Sequence, residues 1–276
     1  RQMCIRDSFK FRDENYWREL ILSGDVSVNR QGVDPDYILQ EEDLIHTVRR
    51  DVQEPDVNAD FEILYEQDGL LVLNKSAPLP VHPSGRFYKN SLTEILREDH
   101  GYEKTHTIHR LDLWTTGVLI LATESDAAKN VHKQIDAQKV KKTYTVLAQG
   151  DFGKEPFIIN EAIGRKSGAH RGFGKDITES KESTTKFTPL IYKNGFCILK
   201  AEPITGRTNQ IRVHVQAAGG FVINDPLYSP NPPKESDINF MGLHCYQMRI
   251  IGASGQELCF TACLLYTSDA ADDCEG

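Results

Sequence analysis

The feature that most constrains the fold is a run of five apolar residues, Val118–Ala122, near the middle of the chain. So short a run, rich in β-branched side chains, predicts a buried β-strand. Immediately before it lies a loop that holds Asp112, Thr115, Thr116 and Gly117. A carboxylate at the mouth of a buried strand can act as a nucleophile, a base or a metal ligand. The alternative is a turn-forming aspartate in a surface ion pair, which is the commoner use of such residues.

The two ends of the chain differ from the rest. Met3–Ser8 (MCIRDS) and Cys263–Ser268 (CLLYTS) can be translated from opposite strands of one short DNA sequence. We therefore interpret residues 1–8 and 263–276 as sequencing-adapter artefacts and exclude them from fold prediction. The true N-terminus is then missing, and targeting cannot be read. The other residues hold 35 acidic and 30 basic side chains, a net charge of −5 instead of −8.

Composition excludes several classes of function. Cys197, Cys245 and Cys259 remain, scattered and odd in number, which argues against a disulfide framework and a zinc site. They fit a reducing, intracellular compartment; the cytoplasm is favoured, and an organelle stays open. The nine histidines lack metal-ligand spacing, and nucleotide-binding glycine motifs are absent. No apolar run approaches the length of a membrane span. We predict no cofactor, no metal and no membrane partner.

The chain length suits one mid-sized domain and one small one. In the small unit, residues 9–57, Tyr16–Leu22 has helical spacing and Val26–Asn29 alternates like a strand. The polar stretch 51–60 reads as a linker. The mid-sized domain is predicted to span residues 58–262.

The larger unit contains signals of both hairpins and helices. Asp68-Gly69 and Lys193-Asn194-Gly195 are hairpin signals between apolar runs. The Gly-rich stretch Gly164–Ser180 reads as a mobile basic loop that RNA would order. Helices are expected from Ser91 (a capping box) to His100, from Ser125 to Gln138 and from Thr205 to Ala218, and later strands at 139–150, 243–250 and 257–260.

His109–Gly117 (HRLDLWTTG) resembles the HRLD-x-x-T-S-G signature of the RluA-type pseudouridine synthases. Four more segments follow that family's order: ILYEQDGLLVLNKSAPLPVHPSG, KKTYTVLAQG, GRTNQIRVHVQAAGG and INDPLY. Residues 9–57 are similar to the end of an S4-like RNA-binding module. The resemblance implies an α+β fold with a central mixed, mainly antiparallel sheet flanked by helices, and with Asp112 on the floor of a cleft that crosses the sheet.

The resemblance also implies an activity, the isomerisation of uridine in RNA to pseudouridine without a cofactor. In that family's pattern Asp112 is the nucleophile, and Arg212 keeps its carboxylate ionised and oriented. Tyr144 packs on the base and takes the C5 proton.

The target uridine has to leave its stack, and Arg110 is implied to fill the gap. Thr115 and Thr116 would shape the loop around the nucleophile. Other predicted RNA contacts are Lys141 and Lys142 as a phosphate patch, Arg207 and Asn209 in the GRTNQIR segment, and Arg86 on a Pro-rich loop. Leu113 and Asn209 depart from the family's usual residues.

Substrate and chemistry leave alternatives open. The chain is most similar to the eukaryotic branch of the family that acts on tRNA anticodon loops, with an rRNA-directed enzyme as the alternative. A second alternative is an RNA-binding homologue without catalysis. A third is a carboxylate-dependent glycosidase, which requires a second acid facing Asp112 across an open pocket; Asp225 is the candidate. The protein is expected to act as a monomer.

Overall fold

The structure is a computed structural model, and it describes residues 14–48, 53–167, 170–234 and 238–263. The predicted adapter segments lie outside the described residues, apart from Cys263. Backbone contacts divide the chain into two compact units between Gln53 and Glu54. This division falls within the polar stretch that the sequence marks as a linker.

The small unit is a helix followed by a three-stranded antiparallel sheet in the order β2-β1-β3. Its elements are α1 (Glu14–Leu22), β1 (Val26–Val28), β2 (Gln31–Gly32) and β3 (Ile45–Thr47). Trp17 and Ile21 on the helix pack with Val26 and Val28 on the first strand, and all four are buried. The helix and the strand predicted here are confirmed. The S4-like identity of the unit stays a prediction.

The large unit contains three helices and fourteen strands within the described residues. They are β4 (Phe61–Gln67), β5 (Leu70–Lys75), α2 (Leu92–Asp99), β6 (His106–Thr107), β7 (Thr116–Ala122), α3 (Ser125–Asp136), β8 (Lys141–Gln149), β9 (Phe157–Ile159), β10 (Ile163–Ser167), β11 (His170–Gly172), β12 (Thr178–Lys181), β13 (Thr185–Lys193), β14 (Phe196–Pro203), α4 (Gln210–Ala217), β15 (Phe221–Val222), β16 (Leu243–Ile251) and β17 (Glu257–Thr261).

Eleven of these strands form one sheet with the path β4-β5-β7-β16-β8-β14-β13-β9. Strand β6 pairs with β7, β15 with β8, and β17 with β16. Strands β7 and β16 run parallel, whereas the other pairs described in this sheet are antiparallel. The predicted α+β class, with a mixed and mainly antiparallel sheet, is confirmed.

Strands β5 and β7 form the centre of the core. Every residue of β5 is buried, and so is β7 after Thr116. The hairpin from β4 to β5 turns at Asp68 and Gly69, which both have positive φ. Two successive positive φ values match the right-handed twist of the flanking strands, which is why an Asp-Gly pair is a strong hairpin signal.

The prediction of a mobile loop at Gly164–Ser180 is wrong. Strands β10, β11 and β12 form an antiparallel sheet of their own in the order β11-β10-β12. Gly164 permits the close pairing, because a Cβ there would lie 2.5 Å from the Thr178 carbonyl oxygen. Backbone pairing without alternating apolar residues leaves no periodic signal in the sequence.

One predicted helix start and one predicted helix cap also need correction. Helix α4 begins at Gln210 rather than Thr205, because Asn209 has a left-handed backbone with φ 57°. The Gln210 side chain instead closes the preceding loop, since its Oε1 accepts hydrogen bonds from Thr205 Oγ1 and the Arg207 N–H. At α2, Ser91 Oγ donates to the Tyr88 carbonyl, so the predicted capping box is not formed.

Gly117 lies at the parallel junction of the sheet, where it pairs with Cys245. Its φ is +103°, and a Cβ there would lie 2.3 Å from the Cys245 carbonyl oxygen. We expect Gly117→Ala to lower the free energy of unfolding by at least about 2 kcal/mol, through overpacking and backbone strain together. Gly153 is the matched control, because it has φ +69° and no atom within 4 Å of an added Cβ. Gly153→Ala should cost about 1 kcal/mol; equal losses in denaturant titrations would contradict the steric argument.

Candidate active site

A central cleft of about 430 Å³ opens beside the parallel junction. The ends of several elements meet there, which brings together residues that are far apart in the chain. The lining residues are Thr107–Asp112, Thr115, Ile135, Lys142, Tyr144, Pro203, Thr205–Arg212 and Leu243. Asp112, Tyr144 and Arg212, the three predicted catalytic residues, therefore share one cleft.

Asp112 lies in the turn that leads into β7. The Thr115 N–H donates to the Asp112 carbonyl at 3.0 Å, which fixes the backbone of the turn. The Asp112 side chain is 26% exposed and opens to the cleft. Its Oδ2 accepts a hydrogen bond from Arg212 Nη1 at 2.8 Å. One carboxylate face is thereby held by a cation, while the group stays accessible to a ligand.

Arg212 is held by a second, fully buried carboxylate. Its Nε and Nη2 each donate to Asp225 at 2.7 Å, in a bidentate pair. Asp225 Oδ1 also accepts the backbone N–H groups of Leu227 and Tyr228. Burial alone would lower the pKa of Arg212, but the hydrogen bonds and charge of Asp225, with those of Asp112, raise it above its usual value. The guanidinium is therefore a fixed, permanent cation.

Asn209 and Tyr228 complete the cage around Arg212. The guanidinium carbon lies 5.0 Å from the centre of the Tyr228 ring, within cation–π range. Asn209 Oδ1 accepts from Arg212 Nη1 at 3.1 Å, and Asn209 Nδ2 donates to the Tyr228 hydroxyl at 3.0 Å. Asn209, which departs from the family's usual residue, thus fits the site, because its amide links the side chains of Arg212 and Tyr228.

Tyr144 points into the cleft from β8 and is 8% exposed. Burial raises its pKa well above the usual range, and the neighbouring Cys245 and Asp112 raise it further. Burial likewise raises the pKa of Cys245 to about 12. Tyr144 is therefore a neutral phenol at neutral pH. Its aromatic face is available for packing, and its hydroxyl can exchange a proton only when a stronger base or acid arrives.

Lys75 lies beneath the Asp112 loop and is fully buried. Its Nζ donates to the carbonyls of Ser76 (2.7 Å), Leu79 (2.8 Å) and Leu113 (3.5 Å), so it ties β5 to the loop. Burial lowers its pKa to about 7, against an opposing effect of Asp112.

This lowered pKa predicts a pH-dependent stability. The unfolded state binds more protons at Lys75 between about pH 7 and pH 10.5, so the wild type should gain stability over Lys75→Met as the pH rises through that window. The difference in unfolding free energy should change by up to about 1.4 kcal/mol per pH unit. Denaturant titrations of both proteins between these pH values measure it. A difference that does not vary with pH would mean that Lys75 titrates normally.

The structure separates the predicted RNA contacts into two groups. Arg110, Thr115, Lys142, Arg207 and Asn209 line the central cleft. The Thr115 hydroxyl is buried there without a hydrogen-bond partner among the described residues.

Thr116, Lys141 and Arg86 are not among the residues lining the central cleft. The Thr116 hydroxyl instead donates to Nδ1 of His244, whose Nε2 donates to the Ala262 carbonyl. Lys141 is exposed and lines a second groove. Arg86 is exposed on the Pro-rich loop, 5.5 Å from the Phe87 ring centre.

Sequence reasoning missed the supporting residues of the site. His109 Nε2 accepts the Ile120 N–H at 3.0 Å and anchors the Asp112 loop to β7. Desolvation lowers the pKa of His109, which keeps the ring neutral for this role. Asp225 and Tyr228 both lie in the INDPLY segment, three residues apart, so the segment itself was the available signal.

The geometry argues against the glycosidase alternative. That chemistry needs a second carboxyl group facing Asp112 across an open pocket. Asp225 is fully buried, and both of its oxygens are hydrogen-bonded to Arg212. It faces the guanidinium and not the cleft.

Two further findings concern the described residues as a whole. They contain no group of three or more His, Cys, Asp or Glu side chains placed to hold a metal ion. Within the same ranges, no helix combines the length and hydropathy needed to cross a membrane.

Comparison with known proteins gives consistent matches. The model of the family described as RNA pseudouridylate synthase matches residues 69–217, more than half of the chain. A yeast (Saccharomyces cerevisiae) protein named "tRNA pseudouridine(32) synthase, mitochondrial" is 32% identical over 226 residues, covering 80% of this chain and 48% of its own length. The Haemophilus ducreyi protein named "Ribosomal large subunit pseudouridine synthase C" is 32% identical over 252 residues, covering 83% of this chain and 77% of its own.

Solved structures show the same fold. Human RNA Pseudouridylate Synthase Domain Containing 1 aligns with a TM-score of 0.63 and 25% identity, covering 80% of this chain and 96% of the solved chain. The chain spans about half the length of several curated relatives that it matches.

Proposed function

This chain belongs to the RNA pseudouridylate synthase family, and from that premise we propose that it isomerises specific uridines in RNA to pseudouridine. The observation that carries the proposal is the 2.8 Å contact of Asp112 with Arg212, in a cleft that Tyr144 also lines. The net reaction breaks the N1–C1′ bond and forms a C5–C1′ bond. A proton leaves C5 and one is gained at N1, so no redox cofactor is required.

Asp112 is the proposed nucleophile. A carboxylate can cleave the glycosidic bond by covalent attack and hold one fragment while the base turns. Its side chain is the accessible member of the Asp112–Arg212–Asp225 set, since Asp225 is fully buried. Arg212 favours the ionised form of Asp112 and fixes the direction of its oxygens.

Tyr144 is the proposed partner of the base. Its ring offers a flat apolar surface in the cleft, suited to stacking on a uracil. Its hydroxyl can receive the C5 proton in the last step, because C5 becomes a tetrahedral carbon when the C5–C1′ bond forms and loss of its proton restores the conjugated ring. The raised pKa of Tyr144 supports a phenol that stays protonated until that step and passes its own proton on to N1 or to water.

Reaching the cleft requires the uridine to be flipped out of its stack. The cost of unstacking is about a few kcal/mol, and a cleft of about 430 Å³ has room for a nucleoside. Arg110 is exposed at the rim of the cleft. We propose that its guanidinium stacks in the gap left by the flipped base, as arginine can while also contacting phosphate.

For the substrate we propose a uridine of the tRNA anticodon loop. The support is the similarity to relatives named as tRNA pseudouridine synthases, such as the yeast protein. We propose action inside the cell, with the cytoplasm favoured, and the mitochondrial name of that relative supports an organelle as the alternative. The bacterial relative named for the large ribosomal subunit keeps rRNA as the second candidate.

The test is pseudouridine mapping by carbodiimide labelling and primer extension. Total tRNA and total rRNA are each incubated with the purified protein, with untreated RNA as the reference. New stops in tRNA anticodon loops support the full proposal. New stops confined to rRNA keep the chemistry and overturn the substrate. RNA binding without new stops in either pool would favour the homologue that binds RNA without catalysis.

A further inference from the structure

A second groove, the side groove, adjoins the central cleft. It has a volume of about 560 Å³ and lies where β8, β14 and β16 diverge. Lys142 and Pro203 line both the central cleft and the side groove. A strand of RNA with one nucleotide in the central cleft can therefore pass its neighbour directly into the side groove.

The strand pairing explains why the groove exists. Pairing of β8 with β14 ends at Tyr144 and Ala201. Pairing of β8 with β16 continues to Lys141 and Arg249. The first residues of β8, Lys141–Thr143, thus pair with a neighbouring strand on one side only. The space on their other side is the groove.

A β-bulge turns Tyr246 into this space. His244 pairs with Thr145 and Gln247 with Thr143, so β16 holds one extra residue there. Bulges re-aim side chains, and here Cys245 stays fully buried whereas Tyr246 is 42% exposed. Ile204, which is 53% exposed, lines the same groove. Two large apolar side chains are thus open to solvent inside a polar groove.

The charge of the groove is opposite to that of the chain. Lys141, Lys142, Lys200 and Arg249 line it together with one acid, Glu202, which pairs with Lys200 at 3.1 Å. Glu257, which does not line the groove, lies 3.8 Å from Arg249, so the groove keeps an excess of cations. The chain as a whole has a net charge of −8. This local excess of cations beside an aromatic ring is the arrangement that binds single-stranded nucleic acid.

We propose that the side groove binds the unpaired nucleotide next to the target uridine, with its base stacked on Tyr246 and Ile204. Lys141, Lys200 and Arg249 hold the adjoining phosphates. The inference rests on the proposed function and deepens it, because it makes an unpaired neighbour part of substrate selection. A uridine inside a continuous duplex has no such neighbour and is disfavoured.

The stacking contact is tested with fluorescein-labelled oligouridylate and fluorescence anisotropy. Tyr246→Ala should weaken binding about tenfold, since stacking on one aromatic side chain is lost. Tyr246→Phe keeps the ring and should bind like the wild type. A probe of equal length with abasic ribose phosphates should show no difference between Tyr246→Ala and wild type. Unchanged binding of oligouridylate by Tyr246→Ala, or an equal loss on the abasic probe, overturns the proposal.

The phosphate contacts are tested by salt dependence. Lys200→Gln and Arg249→Gln should each reduce the slope of log Kd against log salt concentration by about 0.7, the value for one contact to single-stranded nucleic acid. The control is Lys154→Gln, because Lys154 is exposed in the loop beyond the opposite end of β8. A change of slope in the control as large as in the two variants would overturn the assignment of the phosphate contacts.

These measurements do not need turnover. If no RNA gains pseudouridine but the Tyr246 and charge effects on binding are found, the proposed isomerisation fails and the side groove stands. If pseudouridine is formed and binding is insensitive to Tyr246, the side groove fails and the isomerisation stands.

Discussion

Replacing Asp112 by Asn is expected to reduce pseudouridine formation by at least about a thousandfold, the scale of loss when a covalent nucleophile is removed. The amide has nearly the same shape and keeps an oxygen that can accept the hydrogen bond from Arg212 Nη1. It cannot attack as a carboxylate does. The measurement is the rate at which carbodiimide-dependent primer-extension stops appear at the site found by mapping, under single-turnover conditions.

RNA binding by Asp112→Asn should be retained and slightly tighter, because a negative charge leaves a cleft that accepts a polyanion. The matched control is Asp136→Asn, since Asp136 is exposed at the end of α3. That variant should keep wild-type turnover. Residual activity of Asp112→Asn above a tenth of the wild-type rate would assign the chemistry to another group.

The sequence predicted the parts of the fold that local chemistry decides. The Asp68-Gly69 turn is one such part, because those two residue types favour the positive φ that a tight hairpin needs. The strand at Val118–Ala122 is another, since its composition requires burial on both faces. The sheet at Ile163–Lys181 was missed because its pairing rests on backbone groups and on a close approach at Gly164.

Local sequence patterns predicted less of the site than of the fold. Asp112 and Arg212 are one hundred residues apart, and no spacing rule joins them; resemblance to a family brought them together, and the structure places them in contact. Asp225 was considered only as a candidate acid. A pattern of residues does not show which carboxylate faces a buried cation, because that depends on how the loop after β15 packs against α4.

The pairing of Arg212 with Asp225 predicts the largest effect on stability. Asp225→Ala is expected to lower the free energy of unfolding by about 3–5 kcal/mol, the cost of leaving one partner of a buried ion pair without the other. Both side chains are at most 5% exposed, and among the described residues the guanidinium would keep only Asp112 and Asn209 as hydrogen-bond partners. Two backbone N–H groups, those of Leu227 and Tyr228, would also lose their acceptor. Activity should fall as well, since Arg212 would no longer be held against Asp112.

A double variant separates stability from orientation in this prediction. Asp225→Leu combined with Arg212→Met replaces the pair by apolar side chains and should recover most of the lost stability, because no charge remains buried without a partner. It should stay inactive, since nothing then orients Asp112. Denaturant titration in a Trp17→Phe background measures the unfolding free energies of the single and the double variant, because Trp114 in the large unit is then the sole tryptophan reporter. A double variant as unstable as Asp225→Ala would show that the two N–H groups of Leu227 and Tyr228, and not the buried cation, dominate the cost.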